Sequence, residues 1–101
     1  TFTTPNLMWQ DQPLNKTKTF TYLEAKVYCK KLFLANKKDW RLPSLYELLQ
    51  LTNYKQVMPS ALKRIKNISS SQYWSKTQQH NITSNYWIVD FKYGFNDTIN
   101  K

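Results

Sequence analysis

Asp39-Trp40-Arg41-Leu42-Pro43-Ser44-Leu45-Tyr46-Glu47-Leu48-Leu49 carries more of the fold than any other part of the chain. Pro43 disfavours helix in the residue before it, so the backbone arrives extended. Ser44 and Glu47 then stand at capping-box spacing, the hydroxyl taking the third helical amide and the carboxylate reaching back to the cap. Leu48, Leu49 and Leu51 follow, which predicts a short helix from Leu45 to about Asn53. Trp40 to Ser44 is thus a passage from extended backbone into a helix.

Upstream, Thr21-Tyr22-Leu23-Glu24 repeats the same box. Ala25, Tyr28, Cys29 and Leu32 recur at spacings of three and four, while Lys26, Lys30 and Lys31 fall on the opposite side. That periodicity predicts an amphipathic helix from Tyr22 to about Leu34. Asn36, a residue that tolerates positive φ, is expected to close it. Downstream the pattern changes to strand. Tyr73-Trp74 is a short aromatic candidate, and Tyr86 to Phe91 a longer one. Trp87, Val89 and Phe91 share one face of it and Tyr86, Ile88 and Asp90 the other, so both faces of the sheet are expected to be covered. Gly94, the only glycine, marks a hairpin between strands on either side of Lys92-Tyr93-Gly94. Leu7-Met8-Trp9 is a further apolar run expected to join the same sheet. Helices first and strands afterwards argue for an α+β class and against a doubly wound sheet.

The 101 residues suffice for one domain, and 41% hydrophobic with 16% aromatic residues exclude a disordered tail. No apolar run is long enough to cross a bilayer. The chain begins at Thr1 and shows no signal-peptide pattern, so it reads as a processed chain or a fragment. One Cys and one His exclude an internal disulfide and leave no zinc constellation. Charge is the distinctive property: 15 Lys+Arg against 6 Asp+Glu give a formal +9, which favours anionic partners.

Four stretches stand in a recognisable order: Leu7-Met8-Trp9-Gln10, then Ala25 to Leu32 around Tyr28-Cys29, then Asp39-Trp40-Arg41-Leu42-Pro43 with Glu47-Leu48, then Tyr73-Trp74-Ser75. Trp87 to Phe91 and Gly94 complete the series. Together they resemble the C-terminal domain family of the Legionella collagen-like adhesin (Lcl), over Leu7 to about Asn96. The resemblance implies a C-type-lectin-like α+β fold, two helices on a small twisted antiparallel sheet, in bacterial extracytoplasmic proteins. For the named adhesin it implies binding to sulfated glycosaminoglycans. Asn6 and Asn36 stand where the family usually has glycine. The family also continues into a final strand carrying a second Cys that pairs with the position of Cys29. Here the sequence ends at Lys101, so that strand and its disulfide are expected to be missing, residues 1–101 being one domain truncated at its C-terminus. A dimer oxidised through Cys29 is then open.

Trp9, Trp40, Trp74 and Trp87 are expected to serve as scaffold, their rings being large contributors to burial. Arg41 is expected to lie over an aromatic face or to satisfy loop carbonyls. An enzyme would have to draw its site from six carboxylates, one His and one Cys. Glu24 and Glu47 are claimed by caps, and Asp11, Asp39, Asp90 and Asp97 have no spacing that forces two of them together. Cys29 falls on a buried stripe and His80 in a polar loop, so neither is placed as a nucleophile or base. No catalytic residue, metal or cofactor is therefore assigned. The cysteine pair that holds copper in formylglycine-generating enzymes, and the calcium motifs of calcium-dependent lectins, have no counterpart here.

Binding remains. Leu62-Lys63-Arg64-Ile65-Lys66-Asn67 has the basic-basic-x-basic spacing associated with heparin-like chains, where Arg forks and Lys point charges match sulfates. Lys63, Arg64 and Lys66 lead the candidate polyanion site, with Lys30, Lys31, Lys37 and Lys38 extending it if the end of the first helix lies beside it. The expected function is a non-catalytic extracytoplasmic module for an anionic polysaccharide or a cell-surface protein. The alternative is an envelope domain that supplies only architecture or protein contacts. Single-stranded nucleic acid ranks below both: Tyr22, Tyr46, Tyr54 or Tyr93 could stack bases, but two Arg leave few candidates for base readout. Four Asn-x-Ser/Thr sequences, at Asn15, Asn67, Asn81 and Asn96, are read as accidental in a bacterial chain.

Overall fold

The computed structural model describes residues 1–4, 6–12 and 19–100; the Asn15 sequence lies outside them. In chain order the elements are β1 (Phe2–Thr3), β2 (Met8–Trp9), α1 (Tyr22–Lys31), α2 (Leu45–Leu49), β3 (Gln72–Gln79), β4 (Ile82–Asp90) and β5 (Phe95–Asn100). The class is α+β, with two helices and two antiparallel sheets among the described residues.

Both capping boxes form. Thr21 Oγ1 accepts from Glu24 N–H at 3.2 Å while Thr21 N–H donates to Glu24 Oε1 at 2.9 Å. The Ser44–Glu47 pair does the same at 3.1 and 2.8 Å. Both helices end earlier than their apolar spacing predicts. In α1, Leu32 is already extended, at φ −70° and ψ 129°. Asn36 does take positive φ, but in a two-residue turn: Ala35 at 52° and Asn36 at 61° reverse the chain, and Leu34 and Lys37 exchange both backbone hydrogen bonds. After α2 the last carbonyls find partners outside the helix. Thr52 Oγ1 donates to Leu49 O at 2.6 Å, and Leu51 O accepts from Leu62 N–H at 2.8 Å, so continuation toward Asn53 is pre-empted.

The main sheet has the order β3-β4-β5. β3 is longer than the Tyr73-Trp74 pair alone suggests, and its register with β4 shifts between Trp74 and Gln78. Ser75, fully buried, sits in that irregularity, its hydroxyl donating to Trp87 O at 2.7 Å and accepting from Thr77 N–H at 3.1 Å. His80 lies exposed in the β3–β4 turn, and β4 and β5 flank the loop that contains Gly94, as expected. The Met8-Trp9 run does not join this sheet. It pairs with β1, Phe2 opposite Trp9, because a partner a few residues away closes a shorter loop than any strand of the main sheet.

Both faces of the main sheet are covered. On one, Val89 and the adjoining Phe91 are fully buried against Leu48, Leu51, Ala61, Ile65, Ile68 and Phe2. On the other, Tyr22 of α1 stacks on Tyr86 at 3.8 Å and meets Trp74 edge-on at 5.5 Å. That packing makes Tyr22 a buried residue, so it leaves the set of exposed tyrosines, and burial pushes its phenol up to about 12 with the Tyr86 hydrogen bond adding to it. The four tryptophans form the rim rather than the centre of the core: each is half-buried. For Trp40 and Trp74 the reason is polar, since an indole N–H needs an acceptor, whereas the Trp9 N–H is buried without one. Trp40 Nε1 donates to Leu34 O at 3.1 Å and Trp74 Nε1 to Phe20 O at 3.0 Å, each fastening a loop to its neighbour.

Candidate functional site

The basic stretch 62–67 is an irregular loop beside the N-terminal hairpin, and its local sequence explains its shape. Ile65 and Ile68 are buried in the core, which turns Lys63, Arg64 and Lys66 to the surface, all three exposed. Ile65 N–H closes a turn on Leu62 O at 3.2 Å. The decisive contact comes from 55 residues upstream. The Asp11 carboxylate accepts Lys66 N–H at 3.0 Å, Asn67 N–H at 2.7 Å and the Asn67 side-chain amide at 2.9 Å. One acid thereby holds the backbone of the basic loop, and hydrogen bonds to a carboxylate are the stronger kind.

Two of the three cations also touch the protein. The Arg64 guanidinium lies 5.6 Å from the centre of the Phe2 ring, and Lys66 Nζ donates to Lys63 O at 3.1 Å. The four lysines expected to widen the patch are exposed: Lys30 and Lys31 end α1, and Lys37 and Lys38 follow the Ala35-Asn36 turn. Lys37 lines a groove of about 460 Å³ with Trp9, Trp40 and Arg41, closed on one side by the β1–β2 hairpin. That hairpin therefore adjoins both cationic groups, Arg64 through Phe2 and Lys37 through the groove.

Arg41 is fastened in that groove. It donates to both oxygens of Glu47 at 2.8 and 2.9 Å and to Leu42 O at 3.1 Å, while Glu47 keeps its bond from Ser44 N–H. The loop-carbonyl role expected of Arg41 is present; the Glu47 pair is additional. The Arg41 guanidinium, with the cap amide behind it, holds the Glu47 carboxyl down to about 2 from 4.5. A carboxyl depressed on folding stabilises the fold above its unfolded value, and the contribution is lost as pH falls through the folded one. The pair is partly exposed, 48% at Arg41 and 22% at Glu47. Discounted for solvent, its worth is about 1–2 kcal/mol. Glu47→Gln is thus expected to lower the unfolding free energy by that amount at pH 7. The gap to the native chain should close between about pH 4.5 and pH 2, measured by urea unfolding across that range; a gap that stays constant to pH 2 would contradict the ion pair.

The remaining candidate groups are dispersed. Asp90 accepts Lys92 N–H at 2.9 Å, Asp97 accepts Thr98 N–H at 2.7 Å, and Glu24 is spent on its cap. Cys29 is free and half-buried, and burial raises its thiol, which leaves it a poor nucleophile. It lines an apolar cleft of about 530 Å³ with Tyr28, Leu48 and Trp74. Among the described residues no three His, Cys, Asp or Glu side chains cluster as a metal site, and no helix is long and apolar enough to cross a membrane.

The family model for the Lcl C-terminal domain matches residues 3–101. Comparison with curated proteins and with solved structures gives no match.

Proposed function

The chain belongs to the Lcl C-terminal domain family, and from that premise we propose that it is a non-catalytic, extracytoplasmic binding domain of C-type-lectin-like fold whose ligand is an anionic, glycosaminoglycan-like polysaccharide. The observation that carries the reading is the loop 62–67: three exposed cations on a backbone held by the Asp11 carboxylate and by Ile65 and the adjoining Ile68 in the core. A loop already ordered loses less entropy when it binds, so its charges work together on a repeating anion. Lys63, Arg64 and Lys66 contact sulfate or carboxylate groups, and Lys30, Lys31, Lys37 and Lys38 add longer-range attraction. The dispersal of carboxylates into caps and turns supports a binding role over catalysis.

A second reading has an observation in its favour. Arg64 rests on Phe2 and Lys66 bonds to Lys63 O, as cations do when they serve the fold. On that reading the domain is an envelope interaction module with no glycan ligand.

Replacing Lys63, Arg64 and Lys66 together by Ala separates the two. If the loop is the glycan site, the salt concentration needed to elute the protein from immobilised heparin falls sharply and log Kd against log salt loses about 2–3 units of slope. The thermal midpoint should stay within a few degrees of the native value. Equal retention by the triple variant assigns heparin binding to overall charge and defeats the site.

A further inference from the structure

The stretch that leads into α2 also builds one wall of the groove beside the β1–β2 hairpin. Lys37, Asp39, Trp40, Arg41 and Pro43 line that wall, and Trp9 comes from the hairpin. The wall is fixed by the fold. Leu34 O accepts both Lys37 N–H at 3.0 Å and the Trp40 indole N–H at 3.1 Å, so one carbonyl sets the turn and the ring together. Arg41 is pinned by Glu47 and by Leu42 O, which take three of the five guanidinium N–H groups. Its Nε–H and second Nη2–H, side by side on one edge of the fork, have no acceptor among the described residues.

The chemistry of the lining selects the ligand. Its charged side chains are Lys37 and Arg41 against Asp39 and Glu47, which cancel, so neither an anion nor a cation is drawn in by net charge. Glu47 is spent on Arg41 and on its cap, whereas Asp39 is exposed and brings two acceptor oxygens. A purely apolar ligand would strip water from Asp39 and from the Arg41 edge without replacing it. What the groove offers is an edge that donates twice, a carboxylate that accepts, and the half-buried indoles of Trp9 and Trp40. A pyranose ring matches this set: adjacent hydroxyls accept from the fork and donate to the carboxylate, and the C–H face of the ring packs on an indole. The volume of about 460 Å³ is that of a small-molecule site.

We propose that this groove binds one neutral pyranose residue of a glycan. The ring rests on Trp40, Arg41 Nε–H and Nη2–H donate to its hydroxyl oxygens, and Asp39 accepts its hydroxyl protons. The site uses none of Lys63, Arg64 and Lys66 and stands whether or not the loop 62–67 binds a polyanion.

The test titrates the isotope-labelled whole chain with methyl glucoside, methyl galactoside and N-acetylglucosamine, following the indole N–H signals by NMR at physiological salt. At least one of these sugars should shift the Trp9 and Trp40 signals saturably, with a Kd of about 1–10 mM, while Trp87, outside the groove, stays in place. Glucuronate gains nothing from a lining of zero net charge and should bind no more tightly than the best neutral sugar. Asp39→Ala, at an exposed position, should weaken the neutral sugar about fivefold, keep the thermal midpoint and not lower retention on heparin. Heparin retention reports on the loop 62–67 and the indole shifts on the groove, so the two readings fail separately. No saturable shift up to about 50 mM of any of the three sugars, shifts of Trp87 as large as those of Trp9 and Trp40, glucuronate binding about tenfold more tightly, or unchanged sugar affinity in Asp39→Ala would each overturn the proposal.

Discussion

Phe91→Ala is expected to lower the unfolding free energy by about 3–5 kcal/mol, the largest effect of any single substitution considered. The side chain is fully buried, and its ring meets Tyr73 edge-on at 5.3 Å. Its backbone ties two loops to the sheet: Phe91 N–H donates to Ser71 O at 2.9 Å, and Phe91 O accepts from Ser60 N–H at 2.6 Å. Truncation leaves a void bordered by groups that cannot collapse into it without breaking those bonds. Small domains have only about 5–15 kcal/mol in total, so the variant should be marginal at 37 °C. Urea unfolding followed by tryptophan fluorescence measures it, with Phe91→Leu as a milder comparison at about 1 kcal/mol. A loss below about 1 kcal/mol for the Ala variant would mean that the core is centred elsewhere.

Gly94→Ala is expected to cost about 2–3 kcal/mol, by two separable causes. The backbone there is at φ +83°, where any Cβ is strained, and a Cβ would stand 2.7 Å from Ser60 Oγ. Ser60 cannot withdraw, because it is fully buried and its hydroxyl donates to Asn53 O at 2.7 Å. In a Ser60→Gly background the clash with Ser60 disappears and only the exposed Tyr54 ring, with Cε1 3.1 Å from the Cβ position, has to shift, so the further cost of Gly94→Ala should fall to about 1 kcal/mol. An unchanged cost in that background would assign the whole effect to backbone conformation.

These two residues also mark how far the sequence was readable. Gly94 was legible because a lone glycine beyond an aromatic strand has few other uses, and both helix starts were legible because a capping box is written in four consecutive residues. Helix ends were not, since contacts outside the helices decide them: Leu62 takes the Leu51 carbonyl, and past α1 the chain is already extended at Leu32 on its way into the Ala35-Asn36 turn. The pairing of Met8-Trp9 with Phe2-Thr3 was hidden because two residues carry no periodicity. Tryptophans read by size alone gave a scaffold role but not a place in the core. Their N–H groups keep Trp40 and Trp74 at its rim, where loop carbonyls accept them.

At the site, the exposure of Lys63, Arg64 and Lys66 follows from the alternation of basic residues with Ile65, which sequence displays. Whether Lys30, Lys31, Lys37 and Lys38 stand beside them could not be read, because helix and turn geometry decide it; Lys37 lines the groove that also holds Arg41. Asp11 was the residue missed. An acid 55 positions from the loop it organises leaves no local signal; only the excess of unpaired amides in an irregular basic segment hints that an acceptor must come from elsewhere. The Arg41–Glu47 pair escaped for a similar reason, since Glu47 already had a complete role as a cap.

The most direct measurement is the affinity of Asp11→Ala for a size-defined heparin fragment, by titration calorimetry at physiological salt and a temperature where circular dichroism shows the variant folded. The substitution raises the net charge by one and leaves every basic side chain in place, but it removes the acceptor that holds Lys66 and Asn67. If the ordered loop reads the polyanion, affinity falls about fivefold despite the added positive charge. Unchanged or tighter binding would contradict it and reduce the interaction to bulk electrostatic attraction.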